Sequence, residues 1–149
     1  MAGGSWRLLA GGGEVSASWA YVCMPSNFRD LVVYQRARAF ADELREVALG
    51  WSDFDRDSVG LQMTRSADSV CANIAEAGGR RTVKDKRHFL MIARGSLLET
   101  EHWIDCARGR GLIAQTYDDR IADIARPLNG LIDKPAPSAS QQPPASASQ

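Results

Sequence analysis

The residues with the clearest chemical potential are basic side chains gathered near the middle of the chain. Between positions 80 and 94 the only acidic residue is Asp85, and the basic residues are Arg80, Arg81, Lys84, Lys86, Arg87 and Arg94. They coincide with a predicted helix start, where free backbone N–H groups and the helix dipole already favour an anion. The cluster predicts a phosphate-binding surface; a solvated charged patch paired with acids elsewhere is the alternative interpretation.

A row of polar residues follows the helix predicted just upstream. Its members recur every three or four positions beside the apolar face, and they are Gln62, Arg65, Ser69, Asn73 and Glu76. That spacing places them in one line along a helix. The row is interpreted as a hydrogen-bonded network between helices or as a seam with another subunit, and a solvated boundary is the alternative.

A hairpin centred on Gly79–Arg80 would place Arg65 and Arg94 at one level, about 20 Å from the turn.

Signals for catalysis or metal binding are weak. Glu99 and His102 have the Glu-x-x-His spacing of di-iron bundles, but such sites need a second pair of this kind on another helix. The other histidine, His88, lies on the same helix, about 21 Å away, so the two cannot share one metal. Neither histidine belongs to a recognisable nucleophile motif, and no phosphate-binding glycine loop occurs. We expect a protein without enzymatic activity, metal or cofactor.

Composition indicates a single domain and identifies no partner. The chain has 149 residues, 44% of them hydrophobic, and its 18 basic residues balance 18 acidic ones. Cys23, Cys71 and Cys106 form no C-x-x-C pair, which argues against a disulfide framework or a zinc site. Because no apolar run approaches the ~18 residues of a membrane span, we expect a cytoplasmic protein without a membrane partner.

Apolar residues recur every three or four positions in four segments, which predict four helices. The segments cover about residues 28–49, 56–77, 82–108 and 116–132. No segment alternates in the manner of a strand, and short connections imply antiparallel neighbours. The predicted fold is therefore all-α, an antiparallel up-and-down four-helix bundle over residues 27–133. Residues 1–26 and 134–149 are predicted to be disordered extensions, and Met24 is the expected natural start.

Polar residues at the segment starts predict the helix caps. The first helix is expected to begin at Ser26 or Asn27, and the second at Asp55 or Asp57. Thr82 and Thr116, each followed by an aspartate three residues later, predict capping boxes for the third and fourth helices. Pro127 lies inside the fourth segment and predicts a kink or break near Arg126.

The sequence also resembles a known family. Leu61–Arg80 is similar to the signature of the four-helix bundle proteins encoded in 23S rRNA intervening sequences. Phe89–Glu101 resembles that family's third helix, and Phe28–Ala37 resembles its first. The resemblance implies an antiparallel four-helix bundle that assembles as a ring-like homopentamer, in a family with no established enzymatic activity. It also implies that the protein is related to the accessory variability determinant of diversity-generating retroelements, which has the same bundle. That protein is a basic pentamer that binds nucleic acid and a reverse transcriptase.

By that analogy the basic cluster is the candidate for contacting phosphate, an inference from fold alone. Two functions remain open. In the first, the protein is an oligomer that binds RNA or DNA, or an accessory of a ribonucleoprotein, through the start of the third helix. In the second, it is a structural or adaptor homo-oligomer whose partner is another protein and which has no nucleic-acid role. The balanced net charge and the pI near 6.7 weigh against the first.

Overall fold

The computed structural model describes residues 27–134, which are helical apart from short connections. In order, the elements are a 3-10 turn (Phe28–Asp30), α1 (Val32–Leu49), a short helical turn (Asp53–Asp55), a π-helical segment (Arg56–Gly60), α2 (Leu61–Gly79), α3 (Val83–Gly109) and α4 (Asp118–Asp133). Residues 27–134 contain no strand, so the all-α prediction with four helices is confirmed. The predictions for residues 1–26, which include Cys23 and the start at Met24, and for the tail beyond Lys134 lie outside the described residues.

Of the first three predicted helix starts, the one at Thr82 is confirmed and two are wrong. Thr82 Oγ1 accepts the Asp85 N–H at 3.0 Å. Asn27 accepts the Arg29 N–H at 3.2 Å but caps only the 3-10 turn Phe28–Asp30; α1 begins at Val32, after an extended Leu31. The second helix is capped by Ser52, whose Oγ accepts the Asp55 N–H at 3.2 Å. Ser52 also donates to Asp55 Oδ2 at 2.7 Å, so the aspartate supports the cap instead of forming it. The helical path therefore begins at Asp53, three residues before the predicted start.

The fourth helix begins without the predicted Thr116 cap. Its N-cap residue is Tyr117, which makes no side-chain capping bond to the helix. The Tyr117 side chain is buried, with its ring centroid 5.5 Å from that of Phe40 in α1, and Gln115 Nε2 donates to its hydroxyl at 2.8 Å. Because burying an aromatic ring is worth more than a typical cap, the position of this ring sets where α4 starts.

Pro127 does not break α4, which runs uninterrupted to Asp133, so the predicted break is wrong. Proline has no N–H to donate to the carbonyl four residues earlier, and Asp123 O therefore lacks its helical partner. Arg36 of α1 supplies the replacement, because its Nη1 donates to Asp123 O at 3.0 Å. A long side chain from a neighbouring helix thus compensates for the proline.

Replacing Arg36 by methionine should lower the free energy of unfolding by about 1 kcal/mol, because only water would then bond the exposed Asp123 carbonyl. In a Pro127→Ala background the helix recovers its own donor, and the same substitution should cost less than half as much. Urea unfolding of the four proteins, followed by circular dichroism, measures both losses as a double-mutant cycle. Equal losses in the two backgrounds would contradict this role of Arg36.

The interface between α2 and α3 is the most extensive in the bundle, and small hydroxyl residues line it. The Thr100 hydroxyl contacts that of Ser66 at 3.1 Å and donates to Ser96 O at 2.8 Å, while the hydroxyls of Ser69 and Ser96 lie 2.9 Å apart. Short side chains let the two backbones approach closely, and their hydroxyls bond within the seam.

These pairs also fix the register of the two helices. Ser66 lies beside Thr100, and the same alignment places Arg65 level with Glu101. Arg94 is instead level with Ala72, about 10 Å further along the helix. The predicted level pairing of Arg65 with Arg94 is therefore wrong. The reason is that the turn residues 80–82 are not helical, which moves the centre of the hairpin towards the start of α3.

Candidate functional site

The basic cluster lies at one end of the bundle, where three parts of the chain meet. Gly78, in the last turn of α2, lies against Phe28, and a Cβ at Gly78 would be only 3.0 Å from Phe28 Cβ. Arg87 Nε of α3 donates to Ile132 O at the end of α4 at 2.8 Å. The start of α3 is therefore framed by the beginning of the described chain and by the last turn of α4.

Two of the six predicted phosphate ligands are already engaged within the bundle. Arg80 forms an ion pair with Glu76 one helical turn earlier, and its guanidinium lies 4.4 Å from the centre of the Phe89 ring. Arg87 bonds the carbonyls at the end of α4, Ile132 O at 2.8 Å and Lys134 O at 3.5 Å. A cation at a helix C-terminus is favourable because the last carbonyls carry partial negative charge. Arg87 thus acts first as a cap for α4.

The other four predicted ligands are available to an anion. Arg81, Lys84 and Arg94 are exposed and Lys86 is half-buried, and within residues 27–134 none of the four side chains has a hydrogen bond or an ion pair. The first turn of α3 attracts anions less strongly than the sequence suggests. Asp85 accepts the Thr82 hydroxyl at 2.7 Å, and its carboxylate partly neutralises the positive end of the helix. Side chains, more than backbone amides, therefore make this a cationic surface.

Charge is distributed unevenly between the two ends of the bundle. The end that holds the start of α3 has Arg29, Arg80, Arg81, Lys84, Lys86, Arg87 and Lys134 against Asp30, Glu76, Asp85 and Asp133. The other end has Glu46, Asp53, Asp55, Asp57, Asp105, Asp118 and Asp119 against Arg45, Arg56, Arg108, Arg110 and Arg120. Although the total charge is balanced, one end of the bundle therefore carries net positive charge and the other carries net negative charge. A polyanion approaching it is attracted to the positive end.

The residues of the polar row of α2 do not form one continuous network. Ser69 contacts Ser96 of α3, and Asn73 Nδ2 donates to Ser69 O at 2.8 Å and to Ser69 Oγ at 3.2 Å. These central residues join the interhelix network. Glu76 is exposed and pairs with Arg80 at the basic end. Arg65 is exposed and Gln62 is half-buried, and neither side chain forms a hydrogen bond or an ion pair in the described part of the chain.

Sequence reasoning missed two groups of residues at these helices. Ser66, Ser96 and Thr100 are buried partners in the hydroxyl network, and the four-residue spacing of Ser96 and Thr100 was the available signal. His102 and Cys106 have the same spacing on α3, with Nε2 and Sγ 3.6 Å apart. The spacing shows that each pair shares one face of α3, but the sequence does not show that the face of Ser96 and Thr100 meets α2.

Within the described helices, the thiols and acids do not assemble into a recognisable reactive centre. Burial, and secondarily the nearby Asp68 carboxylate, raises the pKa of the Cys71 thiol to about 11, so this thiol stays protonated at neutral pH. Among residues 27–134 no group of three or more histidine, cysteine or acidic side chains is arranged to hold a metal ion.

A comparison with known protein families identifies the family of this four-helix chain. Residues 29–133 match the family described as 23S rRNA-intervening sequence protein. The chain belongs to this family. The match covers all four helices, so the family resemblance carried by Leu61–Arg80 is confirmed. No curated protein matches the chain. None of the helices within residues 27–134 is both long enough and apolar enough to span a bilayer.

Proposed function

We propose that this member of the 23S rRNA-intervening sequence family is a non-enzymatic homo-oligomer that binds the phosphates of RNA or DNA through the start of α3. The observation that supports the proposal is the set of four cations without partners among residues 27–134, namely Arg81, Lys84, Lys86 and Arg94. Lysine and arginine side chains that neutralise phosphates release counterions, which gives affinity without sequence recognition.

The proposed recognition is electrostatic and does not rely on stacked bases. The aromatic ring closest to the cluster in sequence is Phe89, and Arg80 already lies over its face. Single-strand binders that grip bases place free aromatic rings between their cations. We therefore propose that the protein follows the phosphate backbone, with little preference among sequences.

The proposed architecture is an antiparallel up-and-down bundle. Supporting it, α2 and α3 pair residue 66 with 100 and residue 69 with 96, so the numbers rise on one helix and fall on the other. α1 and α4 show the same trend, since Glu43 pairs with Arg120 and Arg36 with Asp123. A ring-like homopentamer, as the family resemblance implies, would repeat the basic end five times on one assembly.

Reversing three of these charges in Arg81→Glu/Lys84→Glu/Lys86→Glu should reduce affinity for duplex DNA or structured RNA by about 100-fold at low salt. It should also reduce the slope of log affinity against log salt by about 3, one for each lost phosphate contact. Fluorescence anisotropy of the labelled nucleic acid measures both, and light scattering on the same samples tests the pentamer.

The matched control is Arg45→Glu/Arg108→Glu/Arg110→Glu, which changes the net charge equally but at the opposite end of the bundle. It should bind as the unmodified protein does. Equal losses in both triple variants would indicate an effect of net charge alone and would contradict a localised site. Absence of binding by the unmodified protein at low salt would favour the adaptor function, which the exposed apolar residues of α3 also suit.

A further inference from the structure

The outward face of α3 presents a line of residues with a regular spacing. They alternate at steps of four and three along the helix, and all are exposed: Lys84, His88, Met91, Gly95, Leu98, His102 and Asp105. The buried residues of α3, such as Leu90, Leu97 and Ile104, lie on the opposite side. Alternating steps of four and three are the spacing with which one helix packs along another. We call this line the outward row.

The middle of the outward row is apolar and open. Met91 is 56% exposed and Leu98 is 57% exposed, and Ile92 beside them is 39% exposed. Gly95 lies between them, and a Cβ built there would meet no atom within 4 Å. Large apolar side chains on either side of a glycine let a second helix approach closely and bury them.

The outward row is chemically self-complementary when its direction is reversed. Read against a reversed copy, Lys84 faces Asp105, Met91 faces Leu98, and Gly95 faces Gly95. His88 similarly faces His102. Arg87 and Glu101, on one flank of the row, become neighbours in the same alignment. A parallel copy would instead place Lys84 against Lys84 and Asp105 against Asp105, and opposed like charges disfavour association.

We infer that α3 is a self-association surface on which a second copy of this chain packs its own α3 in the reverse direction, across a twofold axis at Gly95. Such a contact is isologous, because both copies use the same surface. It differs from the head-to-tail contacts that close a ring, and in a ring-forming protein it connects a subunit of one ring to a subunit of another. It requires no nucleic acid.

Cysteine crosslinking of the full chain tests the axis directly. In a background with Cys23→Ser, Cys71→Ala and Cys106→Ser, the Gly95→Cys variant should form a disulfide-linked dimer under mild oxidation, because the two introduced thiols meet at the axis. The matched control is Gly109→Cys, on the same face of the same helix and equally free of neighbours. In the reversed pair its thiols are about 42 Å apart, so it should stay monomeric on a denaturing gel.

The pattern of the two variants decides between arrangements. Crosslinking of Gly95→Cys alone supports the reversed pair. Crosslinking of both variants would indicate a parallel pair, and crosslinking of neither would indicate that no second copy packs on this face; either result overturns the inference. The gels are run without nucleic acid, so a failure of phosphate binding does not affect the result.

Charge exchange gives an independent measurement that does not depend on cysteine chemistry. Lys84→Asp should place Asp against Asp105 of the other copy and raise the dissociation constant of the pair about tenfold. Lys84→Asp/Asp105→Lys restores opposite charges at both places and should return the constant to within about twofold of its original value. Sedimentation at several concentrations measures the constants. No rescue by the double variant would overturn the inference.

Discussion

Phe40→Ala should lower the free energy of unfolding by about 3–5 kcal/mol, the typical loss when a buried phenylalanine is truncated. Phe40 is 2% exposed and faces the buried Tyr117 ring at 5.5 Å between centroids. The contact joins α1 to the residue that starts α4. Truncation removes apolar burial, leaves a cavity and releases the ring that determines where α4 begins. Urea unfolding followed by circular dichroism measures the loss.

Val32→Ala on the same helix is the control, because Val32 is 55% exposed. It should change the free energy of unfolding by no more than about 0.5 kcal/mol. Both variants are compared at one protein concentration, since association of subunits stabilises the folded state by mass action. A loss below about 1 kcal/mol for Phe40→Ala would contradict the central position assigned to this ring.

Ser66→Leu is expected to destabilise the bundle by about 2–4 kcal/mol, through overpacking and through loss of the two buried hydrogen bonds of the Ser66 hydroxyl, to Met63 O and from Thr100. Ser66 and Thr100 are buried in the seam between α2 and α3, and their hydroxyls are 3.1 Å apart. A leucine side chain has no space in this seam and would push the two helices apart. The midpoint and slope of urea unfolding measure the loss.

Ser66→Ala separates packing from hydrogen bonding at the same position. It should lower the free energy of unfolding by only about 1 kcal/mol, because Thr100 keeps its bond to Ser96 O. If alanine and leucine cost the same, the hydroxyl contact would be the dominant contribution, and the close approach of the helices would not be the reason for small residues in this seam.

The two proposed surfaces of α3 meet at Lys84, which belongs both to the basic cluster and to the outward row. In the reversed pair this lysine faces Asp105 of the other copy, while Arg81 and Lys86 lie outside the row. Self-association and phosphate binding therefore compete for one side chain and leave other cations free. The triple charge reversal and the Gly95→Cys crosslink report on the two surfaces separately.

Local patterns in the sequence determined the all-α class, the four helices and the family. Periodic apolar residues and a cap such as Thr82 act within one or two turns of chain, so their effect is readable from adjacent residues. The cationic character of the start of α3 was visible for the same reason, since it depends only on which residues follow each other.

Only the tertiary structure decided how those residues are used, because the deciding partners are distant in sequence. Arg36 bonds the carbonyl that Pro127 leaves unpaired. Arg87, predicted to bind phosphate, caps the end of α4, and the burial of Tyr117 sets the start of that helix. The register of α2 and α3 depends on Ser66 meeting Thr100, a pairing that no local rule predicts. The physical reason is that close packing, and the hydrogen bonding of backbone groups left unpaired within a helix, depend on contacts between different helices. The spacing of residues along one helix does not specify those contacts.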